Sequence, residues 1–365
     1  MPIFSAETLT QICLKVFRAA GVPDAESDVV TRSMVDANLA GHHSHGVIHL
    51  PKYIQEIEAS LIQPGADIEV RRESPSTVVL NGNWGFGPVI ATRAVELAVQ
   101  KAKDQDISSV VAFRCNEVGR LGGYALKAAE QRMICVLTVN DHGGGPCVAP
   151  FGGVEGRLST NPIACAIPVE GREPVLLDMS TSVTASGKIR LKKNRQETVP
   201  DGWLMNADGN PTNDVDDFYG VLPGALLPFG GIAAHKGFGL SFVIDILSGA
   251  LTGAGCSRDG EARVGNGLFV MAINIASFAD VSDFNEEVKR FIAYVKSAKK
   301  SPGVEEIFIP GERGFREKKR QRQEGILIDD SSWTAIRAVA AKYWVKLTSV
   351  SVSYTHLTLP TKRIV

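Results

Sequence analysis

Residues 77–139 read TVVLNGNWGFGPVIATRAVELAVQKAKDQDISSVVAFRCNEVGRLGGYALKAAEQRMICVLTV, and the fold turns on this run. Thr77-Val78-Val79-Leu80 is a short β-branched, apolar stretch that fits a strand. A helix is expected over residues 89–103, a strand over 108–113, a helix over 122–132 and a strand over 134–139. Strands that alternate with helices of this length need the helices packed on a sheet, so the chain is expected to be α/β. Further strand-like runs at 163–168, 175–178 and 268–275 enlarge the sheet. Helices are expected over 237–251 and 283–298. Ile307-Phe308-Ile309 is expected to be a strand that turns at Pro310-Gly311-Glu312, with two more helices after it.

Upstream of this run the texture is helical. Asp24 is a plausible N-cap after Pro23, and Val29, Val30, Met34, Ala37 and Leu39 follow at roughly helical spacing until Gly41. A second helix is expected over 47–62, with Leu50, Tyr53, Ile54, Ile57 and Leu61 on one face and Gln63-Pro64-Gly65 ending it. The expected organisation is therefore a helical domain at 1–72, to which 313–348 returns, and a cofactor-binding α/β domain at 73–312. Residues 351–365 carry no pattern that docks on the rest. SVSYTHLTLPT at 351–361 resembles the translation of a sequencing-library adapter and is set aside, with His356.

With 365 residues, 44% of them hydrophobic, the chain can bury a large core. Its 39 Lys and Arg balance 40 Asp and Glu, which argues against a nucleic-acid protein, and the basic run at 313–322 reads as a solvated helix face. Six scattered cysteines without a CxxC pair suit a reducing compartment and make a zinc site unexpected. No signal peptide or membrane-length apolar run is visible, so a cytoplasmic protein is expected.

Three glycine clusters fail as dinucleotide fingerprints: Gly85-Phe86-Gly87 is followed by Ile90, Gly237-Phe238-Gly239 by Phe242, and Gly143-Gly144-Gly145 has the wrong spacing. A Rossmann domain is not expected. The reactive chemistry concentrates in Gly41-His42-His43-Ser44-His45-Gly46, a glycine-bracketed hinge between two helices. His42 and His43 fit capping or surface roles. His45 is flanked by Ser44, whose hydroxyl can hold the ring, and by Gly46, which leaves access. An imidazole with a pKa near 6.5 can give or take a proton at neutral pH. Adjacent histidines in a turn rarely converge on a metal, and none is expected. Asp178 closes an apolar strand (PVLLDMSTS), where it caps the turn or orients an acid–base group; Ser180, Thr181 and Ser182 offer hydroxyls and amides to a phosphate or ribose. Lys188 and Lys236 stand beside glycines and are either phosphate contacts or exposed lysines. Thr160-Asn161-Pro162 is explained by turn chemistry alone.

These motifs in this order resemble the type-2 malate/L-lactate dehydrogenase family of NAD(P)-dependent oxidoreductases. The anchors are AGHHSHGV at 40–47, VAPFGG at 148–153, STNPIA at 159–164, LDMSTS at 177–182 with Gly187-Lys188, and HKGFGL at 235–240. The likeness runs over about residues 5–345 and looks closest to the hydroxycarboxylate dehydrogenase branch. It implies a non-Rossmann, sulfolactate-dehydrogenase-like fold with a mixed sheet, a homodimer, NAD or NADP as cofactor, and a small 2-oxo or 2-hydroxy acid as substrate. It implies His45 as proton donor and acceptor, with Ser44 and Asp178 beside it. Met179, Ser180, Thr181, Ser182, Lys188, His235, Lys236, Gly237, Glu312 and Arg313 then face the cofactor, and Thr160 and Asn161 the substrate. Many members have arginine at the position of His49, a substrate-binding place. Arg120 is the expected replacement clamp, since its planar fork can grip a carboxylate. Glu117 stands where many members have a second histidine. Alternatives are a cyclic imino-acid reductase of the piperideine-2-carboxylate type and a catalytically degenerate nucleotide-binding member.

Overall fold

The computed structural model describes residues 1–144, 146–258 and 263–347. Gly145 and the tail at 351–365 lie outside the described residues. In chain order the elements begin with β1 (Ile3–Phe4), α1 (Ala6–Ala19), α2 (Asp24–Leu39) and α3 (Leu50–Glu58). The central unit follows as β2 (Glu69–Glu73), β3 (Thr77–Asn81), α4 (Gly87–Gln105), β4 (Ile107–Cys115), α5 (Gly122–Glu130), β5 (Met133–His142), β6 (Ile163–Ile167) and β7 (Val175–Met179). Next come α6 (Ser186–Asn194), β8 (Leu204–Met205), β9 (Pro211–Thr212), α7 (Val215–Phe218), β10 (Ala225–Leu226) and α8 (Ala234–Asp245). β11 (Gly265–Asn274), α9 (Val281–Lys296), α10 (Glu312–Glu324), β12 (Ile326–Leu327) and α11 (Asp330–Lys342) close the fold.

The seven-stranded sheet has the order β2-β3-β4-β11-β5-β6-β7. Only the β3–β4 pair, joined through α4, is parallel; the other pairs are antiparallel, so the sheet is mixed. β11 arrives from far along the chain and inserts between β4 and β5, with Phe269 opposite Val111 on one side and Thr138 on the other. Ile90, Ala94, Val95 and Ala98 of α4 and Ala125, Ala128 and Ala129 of α5 are buried against Val110, Leu137 and Val270 of the sheet. Alanine on those helix faces lets the backbones approach closely, while each buried Val, Leu or Ile contributes about 1.5–3 kcal/mol.

A second cluster joins the two ends of the chain. Phe4, Phe17, Met34, Leu50 and Tyr53 pack with Ile326, Ile328, Trp333 and Ile336. β1 pairs antiparallel with β12, and the Phe4 and Trp333 rings lie 4.6 Å apart. A third, small cluster of Val148, Ile189, Val199, Leu204 and Leu226 underlies the three-stranded β10-β8-β9 sheet.

Four local expectations change. Pro23, with φ −54° and ψ 144°, takes the N-cap place of α2, and the Asp24 carboxylate instead accepts from Arg18 Nε at 2.7 Å. The helix expected over 47–62 opens as a 3-10 turn, Val47–His49, because Pro51 at the start of α3 has no N–H to continue an α pattern backwards. Ile307–Ile309 is not a strand: the Ile309 amide turns to Glu312 Oε2 at 2.9 Å, and the segment meets β7 through one backbone bond, Leu176 N to Pro310 O at 3.0 Å. The helix expected over 237–251 starts at Ala234 and ends in a π-helical turn over Ile246–Ala250. No helix among the described residues is long and apolar enough to cross a membrane.

Candidate active site

The histidine hinge is built by what stops α2. Gly41, at φ +81°, takes a left-handed conformation that ends the helix, and residues His43–His45 form a 3-10 turn. Asn38, fully buried on the last turn of α2, locks this bend: its Oδ1 accepts from the Val47 amide at 2.8 Å and its Nδ2 lies 3.0 Å from His43 Nδ1. A Cβ at Gly46 would sit 2.2 Å from that Oδ1, so the glycine is required by the clamp.

Ser44 Oγ lies 3.2 Å from His45 Nδ1, which leaves Nε2 as the nitrogen not turned to the hinge. His49 Nε2 lies 2.5 Å from the Ser44 carbonyl, and the His45 and His49 rings stack at 6.3 Å with 22° between their planes. Burial holds the His45 pKa below the usual imidazole value, partly offset by the charges of Glu117 and Asp178. His49, at the N-cap of α3, and Lys52 on its first turn lie on one side because they are three residues apart. There Glu117 Oε2 lies 2.5 Å from Lys52 Nζ and 3.4 Å from His49 Nδ1. Burial alone would raise the Glu117 carboxyl, but His49 and Lys52 outweigh it and hold its pKa down at about 2.

Arg120 is buried between two carboxylates of its own chain. Its Nε is 3.0 Å from Asp178 Oδ2 and its Nη1 3.2 Å from Asp36 Oδ2, while Lys318 pairs with the other Asp36 oxygen. That geometry removes the free two-pronged fork expected of a substrate clamp, since both edges already face anions. A cleft bordered by Ala40, His42, Arg120, Asp178, Gly311 and Lys318 opens beside this network. Burial pushes the Asp178 carboxyl up, against the pull of Arg120.

The remaining sequence candidates are placed unevenly. The Ser180 hydroxyl donates to the Ser182 carbonyl at 3.0 Å, Thr181 to the Thr160 and Asn161 carbonyls, and Ser182 to the Thr184 carbonyl at 2.7 Å. Their protons are therefore committed to the chain, and Thr181 and Ser182 are buried; Met179 and Ser180 are half-exposed. Thr160 serves that turn through its carbonyl. Asn161 has no exposed surface, and its amide donates to Ser241 and to Asp245 Oδ2 at 3.1 Å, so it binds β6 to α8 rather than facing open space. Lys188 is exposed on the first turn of α6, beside the hinge. His235 and Lys236 are exposed at the start of α8, His235 against Phe151 at 5.7 Å, and Gly237 lies where a Cβ would be 2.1 Å from the Phe229 carbonyl. Glu312 is held by Lys296 at 2.7 Å and Arg172 at 3.0 Å, and Arg313 stacks over Phe308.

Sequence reading missed Asn38, Lys52, Asp141 and Asp245. Asp245 is buried and accepts from Asn140, Asn161 and Ser257. Its signal was available: it is the lone charge within the apolar GLSFVIDILSGA run. Among the described residues no group of three or more His, Cys, Asp or Glu is placed to hold a metal ion.

The profile of the malate/L-lactate dehydrogenase family matches residues 4–337. Malate dehydrogenase from Pyrococcus horikoshii is 38% identical over 330 residues, covering 88% of this chain and 90% of that one. Hydroxycarboxylate dehydrogenase B from Escherichia coli is 32% identical, with 91% and 92% covered. The structure of sulfolactate dehydrogenase from Methanocaldococcus jannaschii superposes with a TM-score of 0.84 at 32% identity, covering 96% of this chain and 99% of that one. Five ordered motifs, a mixed sheet without a dinucleotide fingerprint and a histidine hinge thus have one common explanation: the chain belongs to the malate/L-lactate dehydrogenase family of oxidoreductases that act on CH–OH donors.

Proposed function

We propose that the protein interconverts a small 2-oxo acid and its 2-hydroxy acid with NAD or NADP, and that His45 Nε2 carries the proton. The observation that carries this reading is the placement of His45: a buried imidazole with Nδ1 turned to Ser44 Oγ, within electrostatic reach of Glu117 and Asp178.

The residues fit a nicotinamide nucleotide. The cleft beside His42 and Asp178 carries Lys318 on its rim, and Lys188 lies near enough for its charge to act on His42. A Cβ at Gly187 would lie 3.0 Å from Ser44 Cβ, so the first turn of α6 is held against the hinge. Lys188 would hold phosphate, and the Met179 backbone and the Ser180 oxygen, as an acceptor, a ribose hydroxyl. When bound, the nicotinamide gives or takes the hydride at substrate C2. His45 Nε2 protonates the nascent alkoxide in the reductive direction and receives the proton in the other. Ser44 fixes the ring through Nδ1, and the His49 ring stacks beside it. Asp178, locked to Arg120, steadies the strand end behind the imidazole.

Leu240, Phe242, Val243, Ile246 and Leu251 on α8 and the turn after it are exposed, an apolar face that supports the homodimer implied by the resemblance. Replacing His45 with Gln is expected to cut turnover by roughly 10²-fold or more, in a panel of 2-oxo acids assayed with both reduced cofactors. Near-normal turnover in that variant would remove His45 from the mechanism.

A further inference from the structure

We propose that Glu117 and Asp141 make this site select 2-oxo acids with a neutral or cationic side chain and turn away those with a second acid group. The inference rests on the dehydrogenase reading above and names its substrate class.

The ends of the adjacent strands β4, β11 and β5 bring Glu117, Asn266 and Asp141 to one corner, with His49 beside Glu117. Glu117 follows β4, Asp141 lies near the end of β5, and Asn266 of β11 stands opposite Asp141 while its Oδ1 accepts from the Val118 amide at 3.0 Å. Lys52 is the cation that links the carboxyl groups of this corner. Lys52 Nζ lies 2.5 Å from Glu117 and 3.7 Å from Glu56, and the Asp141 charge also acts on it. Three carboxyl groups therefore share the Lys52 ammonium, and His49 Nδ1 lies 3.4 Å from Glu117.

Asp141 carries the second, independent observation. Its Oδ1 is buried and has no hydrogen-bond partner among the described residues. A Cβ at Gly144 would lie 2.4 Å from its Oδ2, so the loop after β5 presses against the carboxyl group. Burial and the charge of Glu117 push its pKa up to about 7, so near neutrality it is a hydrogen-bond donor for part of the population. A neutral or cationic side chain beside this corner is not repelled; a carboxylate or sulfonate meets the charge of Glu117 and of ionised Asp141.

A second acid group would need a cation with spare capacity. Lys52 is shared among carboxyls, and Arg120 is held between Asp36 and Asp178. Discrimination here comes from repulsion built against the wrong substrate, a recognised route to specificity. The repelling carboxylate is close to the chemistry, since its charge acts on His45.

The test compares 2-oxobutyrate with oxaloacetate, two four-carbon 2-oxo acids that differ by a terminal methyl against a carboxylate. In the unaltered protein kcat/KM is expected to favour 2-oxobutyrate by roughly tenfold or more, the scale of one partly screened charge–charge contact. Glu117→Gln and, separately, Asp141→Asn should each move the ratio toward oxaloacetate by roughly tenfold. Because the readout is a ratio within one preparation, partial loss of folded enzyme in either variant cancels. Preference for oxaloacetate in the unaltered protein, or an unchanged ratio in both variants, would overturn the selection and leave the dehydrogenase reading standing. Failure to reduce any 2-oxo acid with either cofactor would overturn both.

Discussion

Gly46→Ala tests whether the hinge is set by side-chain contact or by backbone freedom. Gly46 has φ −90° and ψ −157°, away from the left-handed region, so backbone strain does not demand glycine there. Contact does. The new Cβ would lie 2.2 Å from Asn38 Oδ1 and 2.4 Å from its Cγ, and Asn38 has no exposed volume to retreat into. If the amide moves, the Val47 N–H and the Asn38 amide both lose their partners. At about 1–3 kcal/mol for each stranded buried group, the cost is roughly 2–6 kcal/mol. Spread over the unfolding entropy of a chain this long, that lowers the melting temperature by roughly 3–8 °C. Turnover should suffer more, because a shift of about 1 Å in a catalytic group can cost about 10²-fold. Thermal melts and steady-state turnover read the two effects separately. Asn38→Ala removes the obstacle, so the double variant should lose much less than the sum of the singles. Strict additivity, or a Gly46→Ala protein that melts and turns over like its parent, would refute the contact argument.

Three more expectations follow from the same geometry. Since burial depresses the His45 pKa, 2-oxo acid reduction, which needs the imidazolium, should fall as pH rises, with a midpoint below 6.5. Hydroxy acid oxidation, which needs the neutral ring, should be complete above that midpoint and decline below it; a reductive midpoint well above 6.5 would exclude His45 as the titrating donor. Arg120→Lys keeps the charge but cannot span Asp36 and Asp178, so thermal stability should drop by about 1–3 kcal/mol. If the melt is unchanged while KM for the oxo acid rises, Arg120 is a substrate clamp after all. Phe242→Glu places a charge on the exposed apolar face of α8 and should shift the assembly toward monomer in sedimentation equilibrium; an unaltered dimer would locate the interface elsewhere.

The α/β alternation over 77–139 was readable because each element there is nearly continuous in sequence and buries its own periodic face. Strand order was not readable. β11 comes from 150 residues beyond β4 to insert between β4 and β5, and its apolar run would suit several places in a sheet. β2 (EVRRE) escaped notice because an exposed edge strand has no apolar face to reveal it. Ile307–Ile309 misled in the opposite direction: three large apolar residues suggested a strand, yet the Ile309 amide goes to the Glu312 carboxylate instead of a ladder.

At the site, residue types disclosed the available chemistry but not which partners would consume it. Ser180, Thr181 and Ser182 are good donors as amino acids, yet Ser180 and Ser182 give their protons to carbonyls of their own turn and Thr181 to the Thr160 and Asn161 carbonyls. Arg120 is a good carboxylate fork, yet Asp36, 84 residues away in sequence, and Asp178 take its edges first. The reverse holds for Lys52 and Asn38, ordinary helix residues until α3 meets the end of β4 and α2 meets the hinge. Local spacing fixed only the Ser44–His45 contact, because adjacent residues in a tight turn need no tertiary structure to meet. On the proposed reading, reactivity is thus a local property of the hinge, while selectivity depends on distant carboxylates carried at the ends of the central strands β4 and β5. A substitution at Glu117 should therefore change which acid is reduced and, by withdrawing a charge that raises the His45 pKa, also lower the midpoint of the reductive pH profile.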